Sequence, residues 1–388
     1  MNLEFDRATG SAARPRPRRN YTVVSTFPPT PCGVATFSAA LSDGLARGGD
    51  DVQVVRVGDS GGAPDERVVA TLSDRCSTPA PEALAALEQA DVAIVQHEYG
   101  LYAGEDGDSI VGVLEAIDAP AIVVAHTVLR SPTPHQREVL EAVVEAAGAV
   151  VVMTDAGREL LVSTFDVDAS KVAVIPHGAA VTADAGRSDP SRRSLLTWGL
   201  LGPGKGIEWA IDALALLDDL RPRATYRIAG DTHPKVAATK GDAYRDMLRQ
   251  RVAESGLERY VFFDGGYRGL DALGELIASA SVVVLPYDSP DQVTSGVLVD
   301  AVAAGRPVVA TAFPHARELL STGAGIVVPR RDPAALASAL RRVLTEPGLA
   351  EAMAAEARRL APALAWPAVA SRYAALGDRL LDRLEVSA

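Results

Sequence analysis

The chain has 388 residues, 48% hydrophobic and 23% charged, which is the balance of a folded globular protein and too long for one ordinary core. Its net charge of -12 excludes broad nucleic-acid binding, which needs clustered cations. No apolar run approaches the roughly 20 residues of a membrane-spanning helix, and no signal-peptide stretch opens the chain, so it reads as cytoplasmic.

In chain order, residues 1–19 are rich in Arg, Pro, Ala and Gly without apolar periodicity and read as a disordered tail. Its arginines are too interrupted for a membrane anchor, and contact with the inner face of the membrane is left open. From Tyr21, short apolar runs alternate with amphipathic stretches, as when parallel strands are covered by helices on both faces. Six such strands are expected at 21–26, 52–58, 91–97, 121–126, 149–154 and 171–177, giving a Rossmann-like domain over 20–185. A polar interval near 184–193 separates it from a second set at 194–199, 225–230, 260–265, 281–287, 307–311 and 325–329. This is a second Rossmann-like domain over 190–365. Pro362 and Pro367 predict a helix break near Trp366, and a final helix over 366–388 is expected to cross back toward the first domain. Cys32 and Cys76 lie far apart without metal-ligand spacing, so neither a disulfide framework nor a metal site is expected.

Ligands of open α/β sheets bind beyond the carboxyl ends of the strands. The stretch 286–311 leaves a strand, crosses a polar loop and starts a helix near Thr294 or Ser295. Hydroxyls of Thr294 and Ser295, and unpaired amides of Gly296, Val297 and Leu298, suit a phosphate. An ordinary helix cap gives the same pattern. The glycine-rich loop 198–206 joins another strand to a helix and carries Lys205, a cation placed to stabilise a leaving diphosphate. Gly206 follows that lysine, where a Walker A loop needs Ser or Thr, which disfavours ATPase chemistry. Gly33 marks a third strand-to-helix turn. His97 and His126 end strands of the first domain, where a polar side chain faces the cleft or ties loops together. His177 and His315 read more simply as structural.

Together GPGKG, IAGD, VVVLPY, TSGVLVDAVAAGRPVVAT and HARELL resemble the second domain of the retaining GT-B glycosyltransferases of family four (glycosyl transferases group 1). PCGVATF, HEYG and AHT are similar to a bacterial subgroup of it. The resemblance implies an α/β GT-B fold, two doubly wound domains facing a central cleft. It also implies metal-independent, retaining hexosyl transfer from a GDP- or UDP-linked sugar, mannose or glucose, to a hydroxyl acceptor. That acceptor is a glycan, a lipid or a small metabolite, expected near loops 99–108 and 128–136. The nucleotide sugar is a substrate, and no cofactor is implied.

The resemblance assigns Lys205 and the 294–298 helix start to the donor diphosphate, and His126 to the transferred sugar. Gly33, Gly199, Gly230, Asp231 and Tyr287 fall in its donor-binding blocks, and His97 and Glu98 line the cleft. Family members carry two acids with seven residues between them, one for the sugar and one for the ribose. This chain has Gln292 and Asp300 there. Where the family commonly has an arginine, five residues before its lysine, this chain has Leu200, so Arg268 or Arg130 is expected to supply the missing cation. Other readings are an epimerase or hydrolase acting on nucleotide sugars, and a non-catalytic nucleotide-sugar-binding protein.

Overall fold

The computed structural model describes residues 16–30, 32–58, 65–75, 80–179, 193–266 and 268–387. Two parallel sheets form two α/β domains. The first contains β1 (Asn20–Ser25), β2 (Asp51–Val57), β3 (Val68–Leu72), β4 (Val92–His97), β5 (Ala121–Ala125), β6 (Ala149–Val152) and β7 (Val172–Val174), in the order β3-β2-β1-β4-β5-β6-β7. The second contains β8 (Ser194–Trp198), β9 (Thr225–Ala229), β10 (Val261–Asp264), β11 (Val282–Leu285), β12 (Val308–Thr311) and β13 (Gly325–Val328), in the order β10-β9-β8-β11-β12-β13. Strand order reverses between β1 and β4, and again between β8 and β11, which opens a crevice at the carboxyl edge of each sheet.

The central strands β1, β4, β5, β6 and β11 are buried at nearly every position, as their unbroken apolar runs require. The first sheet has one strand more than the six expected. β3 is a short edge strand with alternating burial, and Val69 is 50% exposed. An edge strand covered on one side carries no long apolar run to read.

The helix Leu349–Leu364 accommodates Pro362 and stops at Ala365, which is extended; Trp366–Ser387 then forms the last helix. That helix packs Val369, Tyr373, Leu376 and Leu380 into the first domain's core beside Tyr21 and Leu41. Gly44 and Gly377 permit the approach, since a Cβ on Gly44 would lie 2.7 Å from that of Ala370 and one on Gly377 2.8 Å from Tyr21 Oη. Ala179 N–H donates to Leu364 O at 2.8 Å, so the two chain crossings between the domains run side by side.

Residues 1–15 of the expected tail, most of the interval 184–193, and Cys76 lie outside the described residues. Residues 16–19 are tied down: Arg16 pairs with Asp50, Arg18 with Asp51, and Arg19 Nε lies 3.2 Å from Asp378 on the last helix. Among the described residues no helix is long and apolar enough to cross a membrane.

The domains meet at the carboxyl edges of β6 and β11. Thr154 Oγ1 donates to Val293 O at 2.9 Å, and the Val293 side chain joins the first domain's core. Asp155 and Ala156, in the first turn of helix Asp155–Thr164, each donate a backbone N–H at 3.0 Å to the Glu318 carboxylate. Arg130 Nε lies 3.2 Å from Asp291 Oδ1.

Candidate functional site

Three strand ends crowd together at the second domain's reversal point. Gly206 has φ of +63°, and a Cβ there would stand 2.0 Å from the carbonyl oxygen of Pro286; at Gly230, with φ of +127°, it would stand 2.1 Å from that of Gly199. Any other residue would both strain the backbone and push these loops apart. Asp288 N–H donates to Gly204 O at 2.9 Å, which links the loop after β11 to the loop after β8. On the other side, a Cβ on Gly199 would touch Val297 Cγ2 at 3.5 Å. The glycine-rich loop and the start of helix Gly296–Ala303 therefore border one another.

Lys205 Nζ sits 4.5 Å from the ring centroid of Tyr287, which is buried and stacked on Phe313. The aromatic face holds a cation without neutralising it. Ser295 caps the helix: its Oγ accepts from Leu298 N–H at 3.2 Å. This corrects one expectation, because the Leu298 amide is already satisfied by the cap and only those of Gly296 and Val297 remain for an anion. The Ser295 N–H donates to Nδ1 of buried His315 at 2.9 Å. An accepting Nδ1 makes His315 a neutral, Nε2-protonated imidazole, and burial, followed by the nearby His177, lowers its pKa to about 3.

Gln292 turns its side-chain amide onto Thr294 O, while its backbone carbonyl accepts from the backbone N–H of His315 at 3.4 Å. Asp300 is half-buried, without a side-chain partner among the described residues, and burial pushes it up to about 7. Asp231 Oδ1 accepts from Gly266 N–H at 2.9 Å, so part of its capacity is used in the fold. The two expected substitute cations are engaged elsewhere: Arg268 lies 2.6 Å from Asp264, and Arg130 bridges to Asp291 across the domain boundary. Lys205 has no carboxylate within salt-bridge range among the described residues.

From the first domain, His126 Nε2 lies 2.7 Å from Gln96 Oε1 and its ring meets Phe37 edge-on at 4.9 Å. Burial, then His177 and His97, lower its pKa to about 3. Phe37 also touches His177 at 5.0 Å and Trp366 at 4.9 Å. Gly33 opens helix Gly33–Arg47 and has open space around its missing side chain. Glu98 accepts from Thr127 Oγ1 at 2.6 Å, just beyond the end of β4. His97 does not line the cleft as expected. It is 1% exposed at the last position of β4, edge-on to Tyr99, with neither ring nitrogen hydrogen-bonded, and burial lowers its pKa to about 4.

Two histidines read as structural belong to this neighbourhood. His177 Nδ1 lies 2.6 Å from Gly178 O, which can only accept, so the proton is on Nδ1. Its Nε2 stands 3.0 Å from where a Cβ on Gly296 would be, beside the helix start. Both stand within a few residues after a strand of their domain, His177 after β7 and His315 after β12. The signal in the sequence is a histidine shortly after a strand, IPHGA and FPHARE.

Residues 31–182 match the family described as Glycosyltransferase Family 4, and residues 192–346 match Glycosyl transferases group 1. The chain belongs to the glycosyltransferases of group 1 and family 4. It is 29% identical over 286 residues to the D-inositol 3-phosphate glycosyltransferase of Kineococcus radiotolerans, covering 65% of this chain and 64% of that one. The alpha-D-kanosaminyltransferase of Streptomyces kanamyceticus is 29% identical over 61% of this chain and 60% of its own. The chain thus spans a little under two thirds of the length of these glycosyltransferases.

Solved structures agree on the architecture. HepE from Anabaena, in complex with UDP and glucose, superposes with a TM-score of 0.71 over 92% of this chain and 98% of its own, at 19% identity. Sucrose-phosphate synthase from Thermosynechococcus elongatus gives 0.73 over 94% and 100%, at 20% identity. Both sheets and their mutual placement are those of a GT-B glycosyltransferase.

Proposed function

We propose that this glycosyltransferase moves a hexose, mannose or glucose, from a GDP- or UDP-linked sugar to a hydroxyl acceptor, retaining the anomeric configuration and using no metal. The observation that carries the reading is Lys205, a cation without a carboxylate partner, in a loop that abuts the helix start bearing the Gly296 and Val297 amides. A diphosphate leaving group gathers negative charge as the glycosidic bond breaks, and fixed N–H dipoles with one ammonium stabilise that charge. Asp300, unpaired and raised toward neutrality by burial, is suited to accept from ribose hydroxyls. His126, a neutral imidazole at the end of β5, is suited to a hydrogen bond with the sugar rather than to proton transfer at neutral pH.

Retention without a covalent intermediate requires the departing phosphate to take the acceptor's proton on the face it leaves. A water-poor site favours that step, and Val293, packed in the first domain's core, supports the reading by holding the domains together next to the donor helix start. The kinship to glycosyltransferases and to HepE, solved with UDP and glucose, supports the nucleotide-sugar donor. A cytoplasmic location belongs to the same reading.

The test is turnover of UDP-glucose and GDP-mannose by wild type and Lys205→Met. Loss of a charged contact made to the leaving group is expected to lower kcat by about 100-fold. Equal turnover by Lys205→Met, or no binding of either nucleotide sugar to wild type, refutes the reading.

A further inference from the structure

A second cationic place lies beside the loop after β11. A pocket of 550 Å³ is lined by Arg317, Arg330 and Arg331, with Asp288, Pro290 and Pro329. It opens at the carboxyl ends of β11, β12 and β13, the edge that faces the first domain through Arg130–Asp291 and Glu318. Three guanidinium groups meet one carboxylate here, in a chain whose overall charge is -12.

Each arginine is held but not used up. Arg331 Nε lies 2.7 Å from both carboxylate oxygens of Asp288, leaving its two terminal nitrogens unspent. Arg330 Nη1 donates to Asp288 O at 3.3 Å, and Arg317 Nε to Ala312 O at 3.4 Å, so neither of these two charges is neutralised. Forked donors anchored at one nitrogen and free at the others are suited to a tetrahedral or planar oxyanion.

Asp288 joins this pocket to the candidate diphosphate loop, because its N–H donates to Gly204 O next to Lys205. Two anion-seeking places therefore flank one loop, the loop that also carries Gln292. A nucleotide sugar brings one diphosphate, which the first place accounts for. We propose that the arginine pocket binds a phosphate monoester carried by the acceptor, so that this enzyme glycosylates a small phosphorylated polyol or sugar. The proposal rests on the sugar-transfer reading above for the word acceptor, but not for the pocket's anion affinity.

Calorimetry on the full-length protein saturated with UDP separates these claims, using glucose 6-phosphate, glucose and inorganic phosphate as probes. Glucose 6-phosphate is expected to bind at least about tenfold more tightly than glucose, with inorganic phosphate competing and added salt weakening it. The double variant R317Q/R330Q, which keeps the Arg331–Asp288 pair, is expected to lose that advantage while binding UDP as wild type does. Lys205→Met is expected to do the reverse, weakening UDP and sparing glucose 6-phosphate, so failure of the donor reading is visible separately.

Equal binding of glucose and glucose 6-phosphate overturns the proposal, as does an advantage that survives in R317Q/R330Q. A preference for UDP-glucuronate over UDP-glucose that R317Q/R330Q abolishes would assign the pocket to the donor sugar and overturn it too. So would retention on phosphatidylglycerol vesicles that these two arginines control while glucose 6-phosphate does not compete.

Discussion

Glu318→Ala tests whether the two domains are held together by the contacts that surround the donor loop. The carboxylate takes the N–H groups of Asp155 and Ala156 at 3.0 Å each, capping a helix of the first domain from the second. Bonds to a charged acceptor are worth roughly 1.5–3 kcal/mol when buried. Asp155 is exposed and Ala156 half-buried, so water replaces much of the loss, and about 1–2 kcal/mol for the pair is the reasonable figure. That is a shift of roughly 5- to 30-fold away from the docked arrangement. Val293, plugged into the first domain, directly precedes Thr294 and Ser295, so undocking also loosens the donor helix start.

The expected outcome for Glu318→Ala is a donor KM raised several-fold and a larger radius of gyration in solution scattering, reversed by saturating UDP. Thr154→Val, which removes the 2.9 Å bond to Val293 O, is expected to act in the same direction and less than additively in combination with it. A lowered melting temperature with an unchanged donor KM and radius would show that Glu318 is only a helix cap, and would refute the coupling.

His97, His126, His177 and His315 are all depressed by burial, to about 4, 3, 4 and 3. The unfolded chain binds protons on them first, so stability is full above about pH 6.5 and falls as pH drops toward 4; urea midpoints against pH measure it, and His315→Gln should flatten the slope. Asp300 has the opposite sign. Its carboxyl is raised to about 7, so the folded state holds the proton longer, and stability falls as pH rises from about 4 to 7. Asp300→Asn is therefore expected to raise the melting temperature at pH 8 while weakening donor binding; a lowered melting temperature there would contradict the unpaired, half-buried placement.

The architecture was readable because strands buried on both faces leave unbroken apolar runs, as in VAIVQH and AIVVA, and these survive any choice of loop. β3 was not, since an edge strand needs only one apolar side. Gly206 and Lys205 were legible as a strand-to-helix turn with a cation, a local pattern. The full burial of His97 and the ion pair that ties Arg130 to Asp291 across the domains were not. Each depends on a partner distant in sequence or on a side-chain rotamer, neither of which leaves a trace in spacing.

The departures from the family pattern become coherent once the loop geometry is considered. Leu200 removes a cation and Gln292 removes an anion, so the two changes leave the net charge of the pocket as the resemblance would have it. Gln292 is also the residue that this loop requires as it is folded. Its Nε2 donates to Thr294 O, a bond only the amide can make; separately, the backbone carbonyl of residue 292 accepts from the backbone N–H of His315, whose ring receives the Ser295 N–H. A glutamate there would set a carboxylate oxygen against the Thr294 carbonyl, two acceptors in contact in a half-buried place. The neutral amide on Thr294 O and the neutral His315 on the Ser295 N–H thus brace consecutive residues behind the helix start without adding charge. The field at the diphosphate is left to Lys205 and to the Gly296 and Val297 amides, groups that carry positive charge or dipole without needing a counter-ion in the protein.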